Sequence, residues 1–377
     1  MARSSEFYKG QKKRRNRVLV PAAILLALIS LAVVLFYGIQ KYAVITQERV
    51  SVRLPFLTGE ESLLDAADDE TALELETTEV SIIFEEPDYG AVEQKVDGDV
   101  PPLRAIFLAS NEINRDKLVE SAGRLIKGNA LVLEMKPTSG ALIWDSKSTV
   151  ALRYGLSGNP LPNDVLDTLK AIKEQGVYLV AQISVCRDDL FASRSTIVCL
   201  RNKDNGANYS DAGGPWLDAY SMELRRYTVE LVRELYTMGF DEVVLAYVMH
   251  PTLPDGVALS YTRDMSTTPG PVNAVCGFAL AIAEELSDRD GYLSIYLNSA
   301  PALVRADQNT GQDGRLFMKL FDRVYYNTDR YAYTYNLNDI SPYVTVGVAT
   351  NRFVPVVINY LPDNSETVSW VLIDKPE

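Results

Sequence analysis

The sequence has few of the residues from which metal and redox sites are built. It contains three cysteines and a single histidine, His250. The cysteines form no CxxC pair, which excludes zinc-ribbon and thioredoxin-like proteins, and one histidine excludes a multi-histidine metal site. No GxGxxG or GKS/T segment follows a predicted strand, which excludes the common nucleotide-binding loops. We therefore expect no metal, no other cofactor, no nucleotide and no nucleic acid among the ligands.

Charged residues are absent from one long segment near the amino terminus. Residues 18–40 contain no Asp, Glu, Lys, Arg or His, and about 20 apolar residues suffice to cross a hydrocarbon core of about 30 Å. The segment follows a basic cluster made of Lys12, Lys13, Arg14, Arg15 and Arg17. The positive-inside rule keeps such a cluster in the cytoplasm. We expect a cytoplasmic tail over residues 1–17, a single transmembrane helix over residues 18–40 and an extracytoplasmic remainder.

A cleaved signal peptide is the alternative interpretation of this segment. The apolar core of a signal peptide usually has about 7–15 residues and ends in small residues. The segment here is longer, and it leads into Phe36, Tyr37, Lys41 and Tyr42, which are typical of an aromatic and cationic anchor at the membrane surface. The pattern favours an uncleaved anchor in the cell membrane.

Basic residues are nearly absent from the next part of the chain. Between Glu60 and Asp99 there are fifteen acidic residues and one lysine, a net charge of −14, whereas the whole chain carries −13. Charge of one sign with few aromatic residues is typical of a solvated, extended chain. Residues 41–100 are therefore predicted to form an acidic extracytoplasmic linker, in which Val80, Ile82 and Phe84 fit one short strand.

The remaining residues, 101–377, alternate between predicted strands and predicted helices. The strands are predicted at 104–108, 130–136, 178–185, 241–249, 292–297, 323–327, 354–359 and 367–373. The helices are predicted at 115–126, 162–175, 221–238 and 272–286. This alternation indicates a mostly parallel sheet, and about eight strands fit a (β/α)8 barrel better than a dinucleotide-binding fold. We expect such a barrel, with an irregular carboxy-terminal part.

Four blocks of sequence carry a resemblance to a known family. They are ALVLEMKPTSG at 130–140, GVYLVAQISVCRDDLFA at 176–192, WLDAYS at 216–221 and GFDEVVLAYVMHP at 239–251. In order and spacing they resemble the putative glycoside hydrolase domain family, a group of bacterial envelope-associated (β/α)8 barrels. The resemblance covers roughly residues 103–300 and implies a carbohydrate-active barrel.

The acidic residues that the resemblance implies are partly missing. Members of the family have an Asp at the carboxyl end of the strand, where this chain has Ala246. They have an Arg shortly afterwards, where this chain has Met249. Where the family has Asp-Val-Lys-Asp, this chain has Glu-Met-Lys-Pro at 134–137. The first acidic position is still acidic, as Glu134, and the second has become Pro137. Most glycosidases need two carboxylates, about 5–5.5 Å apart for retention or about 6.5–9.5 Å apart for inversion. The losses therefore imply that catalysis has degenerated.

Three carboxylates remain as candidates for catalysis: Glu134, Asp188 and Asp218. Strand alternation puts Glu134 and Lys136 on one face, which we expect to point into the barrel, where the two side chains can pair. Asp188 follows the carboxyl end of a strand, where barrel active sites lie, although loop Asp residues usually make turns. Asp218 and Ser221 fit a helix cap as well as a sugar contact.

Five residues are candidates for ligand binding: Lys136, Gln182, Trp216, Tyr247 and His250. Gln182 follows the alternation of its strand onto the predicted inner face. The rings of the last three lie near the predicted mouth, where they would stack on a sugar or hydrogen-bond to it. The alternative is that these rings pack inside the protein and contact no sugar, above all the ring of Tyr247.

Two further pairs of residues receive no functional role. Asp241 and Glu242 lie at the amino end of their strand, on the face of a barrel that serves stability. Cys186 and Cys199 flank a loop in an oxidising compartment, and the sequence leaves open whether they form a disulfide. Cys276 fits a buried position in a helix.

The sequence leaves three functional hypotheses. The first is a catalytically degenerate barrel that binds an envelope glycan or a surface protein. The second is an active glycoside hydrolase that uses Glu134 with Asp188 or Asp218 on a cell-surface or extracellular polysaccharide. The third is a structural component of the envelope without a carbohydrate ligand. Ala246 and Met249 favour the first hypothesis.

Overall fold

The computed structural model describes most of the carboxy-terminal domain and two short strands that precede it. The described residues are 43–46, 49–52, 89–96, 100–125, 129–262, 270–329, 332, 336, 338–339, 350–362, 365–366 and 368–374. The predicted transmembrane segment 18–40 and the short strand fitted to Val80, Ile82 and Phe84 lie outside these residues. Within them, no helix has the length and apolar character needed to cross a membrane.

The chain divides into two compact units, Met1–Ser81 and Ile82–Glu377. In the first unit, strand Ala43–Thr46 pairs antiparallel with strand Arg49–Val52. This pair lies within residues 41–100, the segment predicted as a linker.

Eight parallel strands form a closed barrel in the second unit. They are β1 (Arg104–Leu108), β2 (Ala130–Lys136), β3 (Tyr178–Ser184), β4 (Glu242–Ala246), β5 (Tyr292–Leu297), β6 (Arg323–Asn327), β7 (Phe353–Ile358) and β8 (Trp370–Ile373). Each strand pairs with the next along the chain, and β8 closes the barrel by pairing with β1. The predicted (β/α)8 barrel is confirmed, and the irregularity expected near the carboxyl terminus does not interrupt its strands.

Helices lie between the strands in the described part of the chain. They are α1 (Arg115–Gly123), α2 (Thr149–Tyr154), α3 (Asn163–Glu174), α4 (Asp189–Arg194), α5 (Met222–Thr237), α6 (Pro271–Glu285) and α7 (Gly314–Leu320). The four longest helices were predicted from the sequence. Helices α2, α4 and α7 were not, because six or seven residues are too few for helical periodicity to show.

The alternation of side chains along the strands produces two apolar cores. Val132, Val180 and Val244 are buried inside the barrel. Leu131 and Leu133, their neighbours on the opposite face of β2, pack outward in the core shared with the helices. Strand β2 thus carries apolar residues on both faces, as expected for parallel strands covered by helices.

A buried ion pair fills the end of the barrel at which the strands begin, here called the floor. Glu242 on β4 pairs with Arg323 on β6, and both side chains are fully buried. The carboxylate also accepts hydrogen bonds from Ser294 Oγ (2.6 Å), Tyr325 Oη (2.8 Å) and Tyr178 Oη (3.1 Å). Burial, reinforced by the charge of Glu242, raises the pKa of both tyrosines, which therefore stay protonated donors. The floor network is fully paired around Glu242 and serves stability.

Residues 89–96 run along the outside of the barrel. Tyr89 Oη donates to Asn273 Oδ1 near the start of α6 (3.1 Å), and Lys95 Nζ contacts Glu284 Oε1 near the end of α6 (2.9 Å). The amide of Lys95 donates to Lys319 O in α7 (2.8 Å). Helix α6 begins beside the carboxyl ends of the strands, here called the mouth, because it follows β4. The segment therefore descends from the mouth to the floor before β1 begins.

Candidate functional site at the barrel mouth

A cavity of about 180 Å³ lies at the mouth of the barrel. Its polar lining residues are Gln182, Tyr247, Tyr296, Asn298, Tyr325 and Asn327, and its other lining residues are apolar. Amides and phenols form hydrogen bonds but carry no charge at neutral pH. Among the described residues that line this cavity there is no carboxylate and no basic side chain.

Ala246 forms part of the cavity wall at the carboxyl end of β4. Its side chain is 4% exposed, and Val244, which precedes it on the same face, is fully buried inside the barrel. The position at which the family resemblance implies a catalytic Asp therefore lies at the cavity. Because an alanine stands there, this wall can neither donate nor accept a proton.

Tyr247 follows Ala246 and has a left-handed backbone with φ of 56°. This conformation is unusual for a residue other than glycine and costs about 1–3 kcal/mol. Hydrogen bonds from neighbouring amides fix it, because Val185 N donates to Ala246 O (2.9 Å) and Cys186 N donates to Tyr247 O (3.1 Å). The half-buried Tyr247 side chain lines the cavity. Backbone strain of this kind tends to cluster at functional sites.

Gln312 organises the side of the cavity formed by β5 and β6. Its amide nitrogen donates to Val248 O and to Tyr296 O, both at 3.1 Å, and its amide oxygen accepts from Asn298 N (2.7 Å). The hydroxyl of Tyr296 donates to Asn327 Oδ1 (2.5 Å), and burial raises the pKa of Tyr296 so that it remains a donor. These bonds hold the polar groups of this side in fixed positions.

Gln182 stands on the opposite side of the cavity, on β3. It lies on the inner face with Val180, as predicted, and its neighbour across the strand pair is Glu134. Among the described residues its half-buried amide has no hydrogen-bond partner. A primary amide offers two donor hydrogens and one acceptor oxygen. These groups are available to a ligand.

Glu134 has the predicted position on the inner face of β2. Its carboxylate accepts a hydrogen bond from Ser110 N (3.1 Å), which follows the end of β1. The side chain is half-buried and is not one of the residues that line the cavity. Glu134 is thus bound to the backbone at the rim.

The prediction that Lys136 shares the inner face with Glu134 is wrong. The register between β2 and β3 shifts between these two residues, so that Lys136 lies opposite Ile183, which belongs to the outer core. A bulge of this kind reverses the alternation of side chains. The ammonium of Lys136 lies 5.7 Å from the centre of the Tyr227 ring on α5. Lys136 therefore points between the barrel and its helices, and it does not pair with Glu134.

Asp188 is the partner of Lys136. Its Oδ2 lies 2.7 Å from Lys136 Nζ, and the two side chains are 1% and 2% exposed. Its Oδ1 accepts from Phe191 N (2.7 Å) and caps α4, while Lys136 also donates to Ser184 O (2.6 Å). The two buried charges thus neutralise each other, and neither residue lines the cavity.

Asp218 joins two loops at the mouth. It is fully buried, and its oxygens accept from Tyr220 N (2.9 Å) and Thr262 N (2.5 Å). Burial raises the pKa of Asp218, and the two amide donors oppose that effect only in part. Ser221, rather than Asp218, caps α5 by accepting a hydrogen bond from Leu224 N.

Trp216 and His250 are also packed into these loops. The indole of Trp216 is 3% exposed, donates to Asp211 Oδ2 (2.7 Å) and has the Arg187 guanidinium 4.5 Å from its ring centre. His250 is 5% exposed, and burial lowers its pKa, so the ring is neutral at pH 7. Its Nδ1 donates to the adjacent carbonyl of residue 251, and its Nε2 accepts from Tyr261 Oη (3.3 Å). Neither ring lines the cavity.

The sequence matches the model of one protein family over residues 105–353, more than half of the chain, and that family is described as "Putative glycosyl hydrolase domain". The chain belongs to this family. The resemblance seen in the four sequence blocks is confirmed, and the matched region continues past them into β7. A search of curated proteins found no match.

Solved structures with a similar fold accompany the family match. The glycoside hydrolase domain of PgaB (BpsB) from Bordetella bronchiseptica aligns over 73% of this chain and 94% of its own, with a TM-score of 0.52 and 13% identity. A hypothetical protein from Ruminiclostridium thermocellum aligns over 50% and 96%, with a TM-score of 0.43 and 18% identity. A chitinase from Chromobacterium violaceum aligns over 69% of each chain, with a TM-score of 0.40 and 11% identity. The PgaB domain supports the barrel fold of the family, and no more follows at such identities.

The disulfide that the sequence left open is not formed in this glycosyl hydrolase-like domain. Cys186 and Cys199 are free and buried, and burial raises the pKa of Cys186 to about 12 and of Cys199 to about 11. Leu217 lies between them, because it bridges to Cys199 and donates its amide to Cys186 O. Two strand spacings of about 4.8 Å exceed the Cα separation of about 7 Å that a disulfide tolerates.

Tyr296, Asn298, Asn327 and Gln312 complete the site but were not predicted as ligand-binding residues. The first three stand at or just after the carboxyl ends of β5 and β6, where barrel sites are built. That position is the one signal the sequence offers for them. Gln312 lies in the loop before α7, and no sequence pattern places it.

Proposed function

We propose that this member of the glycosyl hydrolase-like family binds an envelope glycan at the barrel mouth and does not hydrolyse it. The observation that carries the proposal is the uncharged lining of the mouth cavity, where amides and tyrosines stand without a carboxylate among the described lining residues. Such groups provide the hydrogen bonds and ring surfaces by which neutral ligands are held. Glycoside cleavage, in contrast, needs two carboxylates beside the scissile bond.

The candidate carboxylates support the same conclusion. Asp188 is paired with Lys136 and caps a helix, and Asp218 binds two backbone amides. Glu134 remains at the rim, but one carboxylate cannot serve both as acid and as nucleophile or base. General acid–base catalysis usually contributes about 10²- to 10⁴-fold to the rate. Without a second carboxylate, that contribution is lost.

The proposal includes a location at the outer surface of the membrane. It is supported by the uncharged segment 18–40, the basic residues before it and the acidic residues after it. Protease added to intact cells is expected to cut between the anchor and the barrel and to release the barrel. A barrel that stays with the cells and is degraded only after lysis would contradict this topology.

The binding function is tested with the purified full-length protein in detergent. We expect binding to at least one oligosaccharide on a glycan array. The binding should be at least about tenfold weaker for Gln182→Ala and unchanged for the surface control Lys117→Ala.

We expect no hydrolysis of polysaccharides. Ala246→Asp alone should not restore hydrolysis, because Met249 and Pro137 mark further losses. Turnover that Glu134→Gln abolishes would indicate an active hydrolase, and the absence of any bound glycan would indicate a structural protein.

A further inference from the structure

We infer that the glycan is bound by one uncharged sugar unit at the end of its chain, which enters the mouth cavity while the rest of the chain stays outside. This inference rests on the proposed function and names the class of its ligand. It follows from three properties of the cavity, which are its charge, its closed inner end and the free amide of Gln182.

The first property is that the cavity offers a charged sugar no partner. Its described lining residues carry no charge. The buried charges nearby are already paired, Lys136 with Asp188 and Glu242 with Arg323. The carboxylate of Glu134 lies at the rim, outside this lining, where it accepts a hydrogen bond from Ser110 N. A uronic acid or a protonated amino sugar would give up hydration on entry without gaining a counter-ion, which is costly in a buried site. A neutral unit avoids this loss.

The second property is that the cavity ends inside the barrel. Tyr325 lines its inner part, is 1% exposed and donates its hydroxyl to Glu242 in the floor network (2.8 Å). Val356 and Val371 fill the lumen beside it. A ligand can therefore enter only from the mouth, and about 180 Å³ is less than the roughly 300–1,000 Å³ of pockets that enclose larger ligands. A chain end fits this shape, whereas the interior of a chain needs an open groove.

The third property is the free amide of Gln182. On the other side of the cavity, Gln312 and Tyr296 already hydrogen-bond within the protein. Gln182 has no such partner among the described residues, so its amide can both donate to and accept from a sugar hydroxyl. Glutamate has the same shape as glutamine, so that Gln182→Glu tests the charge of the site with little change in its volume.

The experiment uses the full-length protein on an array of oligosaccharides whose terminal unit is neutral, acidic or a free amine. We expect every bound glycan to end in a neutral unit, whatever the charge of its interior units. Gln182→Glu, assayed at pH 8, should bind these glycans at least about tenfold more weakly and should shift selection toward terminal amino sugars, because a carboxylate attracts an ammonium. Gln182→Met, which is neutral and cannot hydrogen-bond, should weaken binding without that shift.

Ala246→Asp places a carboxylate at a second lining residue and should likewise shift selection toward terminal amino sugars. Ala246→Asn, which carries no charge, is its control and should not cause that shift. Selection of acidic or amino terminal units by the unmodified protein would overturn the inference and leave glycan binding intact. Equal binding of linear and cyclic neutral oligosaccharides would overturn the chain-end part, since a cyclic glycan has no end. A blank array would contradict the proposed function itself.

Discussion

The floor and the mouth of the barrel differ in how they use polar side chains. At the floor, Glu242 and Arg323 are fully buried, and the carboxylate has three hydroxyl donors as well as its ion pair. At the mouth the polar lining is uncharged, and the amide of Gln182 has no partner among the described residues. The carboxylate at the floor has its bonding capacity satisfied by the protein, whereas the lining of the mouth keeps part of its capacity available.

This difference is the reason why the proposed function places the ligand at the mouth. The network around Glu242 links β3, β4, β5 and β6, so its loss would loosen the barrel. The mouth holds backbone strain at Tyr247, which lowers stability, and at Gln182 a half-buried amide that has no partner among the described residues. The buried charges of the floor are thus separate from the uncharged lining of the mouth.

The largest effect is expected at the floor. Glu242→Ala leaves Arg323 buried without its counter-ion, and removing one partner of such a pair costs about 3–5 kcal/mol of unfolding free energy. The three tryptophans all lie in the barrel domain, so denaturant unfolding followed by their fluorescence reports the change. The control is Glu120→Ala in the surface pair with Lys117, which should change stability by at most about 1 kcal/mol. If Glu242→Ala lowered the unfolding free energy by less than about 1 kcal/mol, the floor charges would not stabilise the barrel, and the contrast between floor and mouth would be wrong.

The next effect concerns the buried pair of Asp188 and Lys136. Asp188→Asn keeps a helix cap but leaves the ammonium unpaired, so it should lower the unfolding free energy by about 2 kcal/mol or more. The double variant Asp188→Asn/Lys136→Met should recover part of that loss, because no charge then remains. Glycan binding should persist in both variants, since neither residue lines the cavity. Loss of binding at unchanged stability would instead assign Asp188 to the site.

A smaller effect on stability is expected at Tyr247. Tyr247→Gly relieves a left-handed strain of about 1–3 kcal/mol and removes half-buried ring contacts, so stability should stay within about 1 kcal/mol of the unmodified protein. Glycan binding should fall at least about tenfold, because the ring forms part of the cavity wall. Tyr247→Phe keeps the ring and serves as the control. Full binding by the Gly variant would show that the strain serves no ligand.

The smallest effect is a difference in pH dependence between two buried carboxylates near the mouth. Burial alone would raise the pKa of Asp307, but donors that include the hydroxyls of Ser299 and Thr310 lower it overall, whereas burial raises the pKa of Asp218. Asp307 therefore contributes stability above the unfolded pKa of about 3.9, and this is lost as the pH falls through its folded pKa. The contribution of Asp218 is present below about 3.9 and is lost as the pH rises through its folded pKa.

Unfolding free energies at pH 3 and pH 6 test this difference. Asp307→Asn should be more destabilising, relative to the unmodified protein, at pH 6 than at pH 3. Asp218→Asn should show the opposite trend. Parallel trends for the two variants would mean that hydrogen bonding does not distinguish these sites.

The barrel was predictable because its strands are short apolar runs separated by helices. The alternation along β3 also placed Gln182 correctly on the inner face, and the family resemblance pointed to Ala246 as a wall of the site. The same alternation failed for Lys136, since nothing in the sequence marks the bulge after Glu134. It also could not show that Trp216 and His250 are packed, because their partners, Arg187 and Tyr261, come from elsewhere in the mouth loops.

The most direct test is to titrate the full-length protein with its best array glycan by calorimetry, and then to analyse the same mixture for products after prolonged incubation. The account predicts saturable binding, weakened at least about tenfold in Gln182→Ala, with the glycan recovered intact. A shortened glycan or a released sugar in the mixture, absent when Glu134→Gln replaces the unmodified protein, would contradict it and establish the barrel as an active hydrolase.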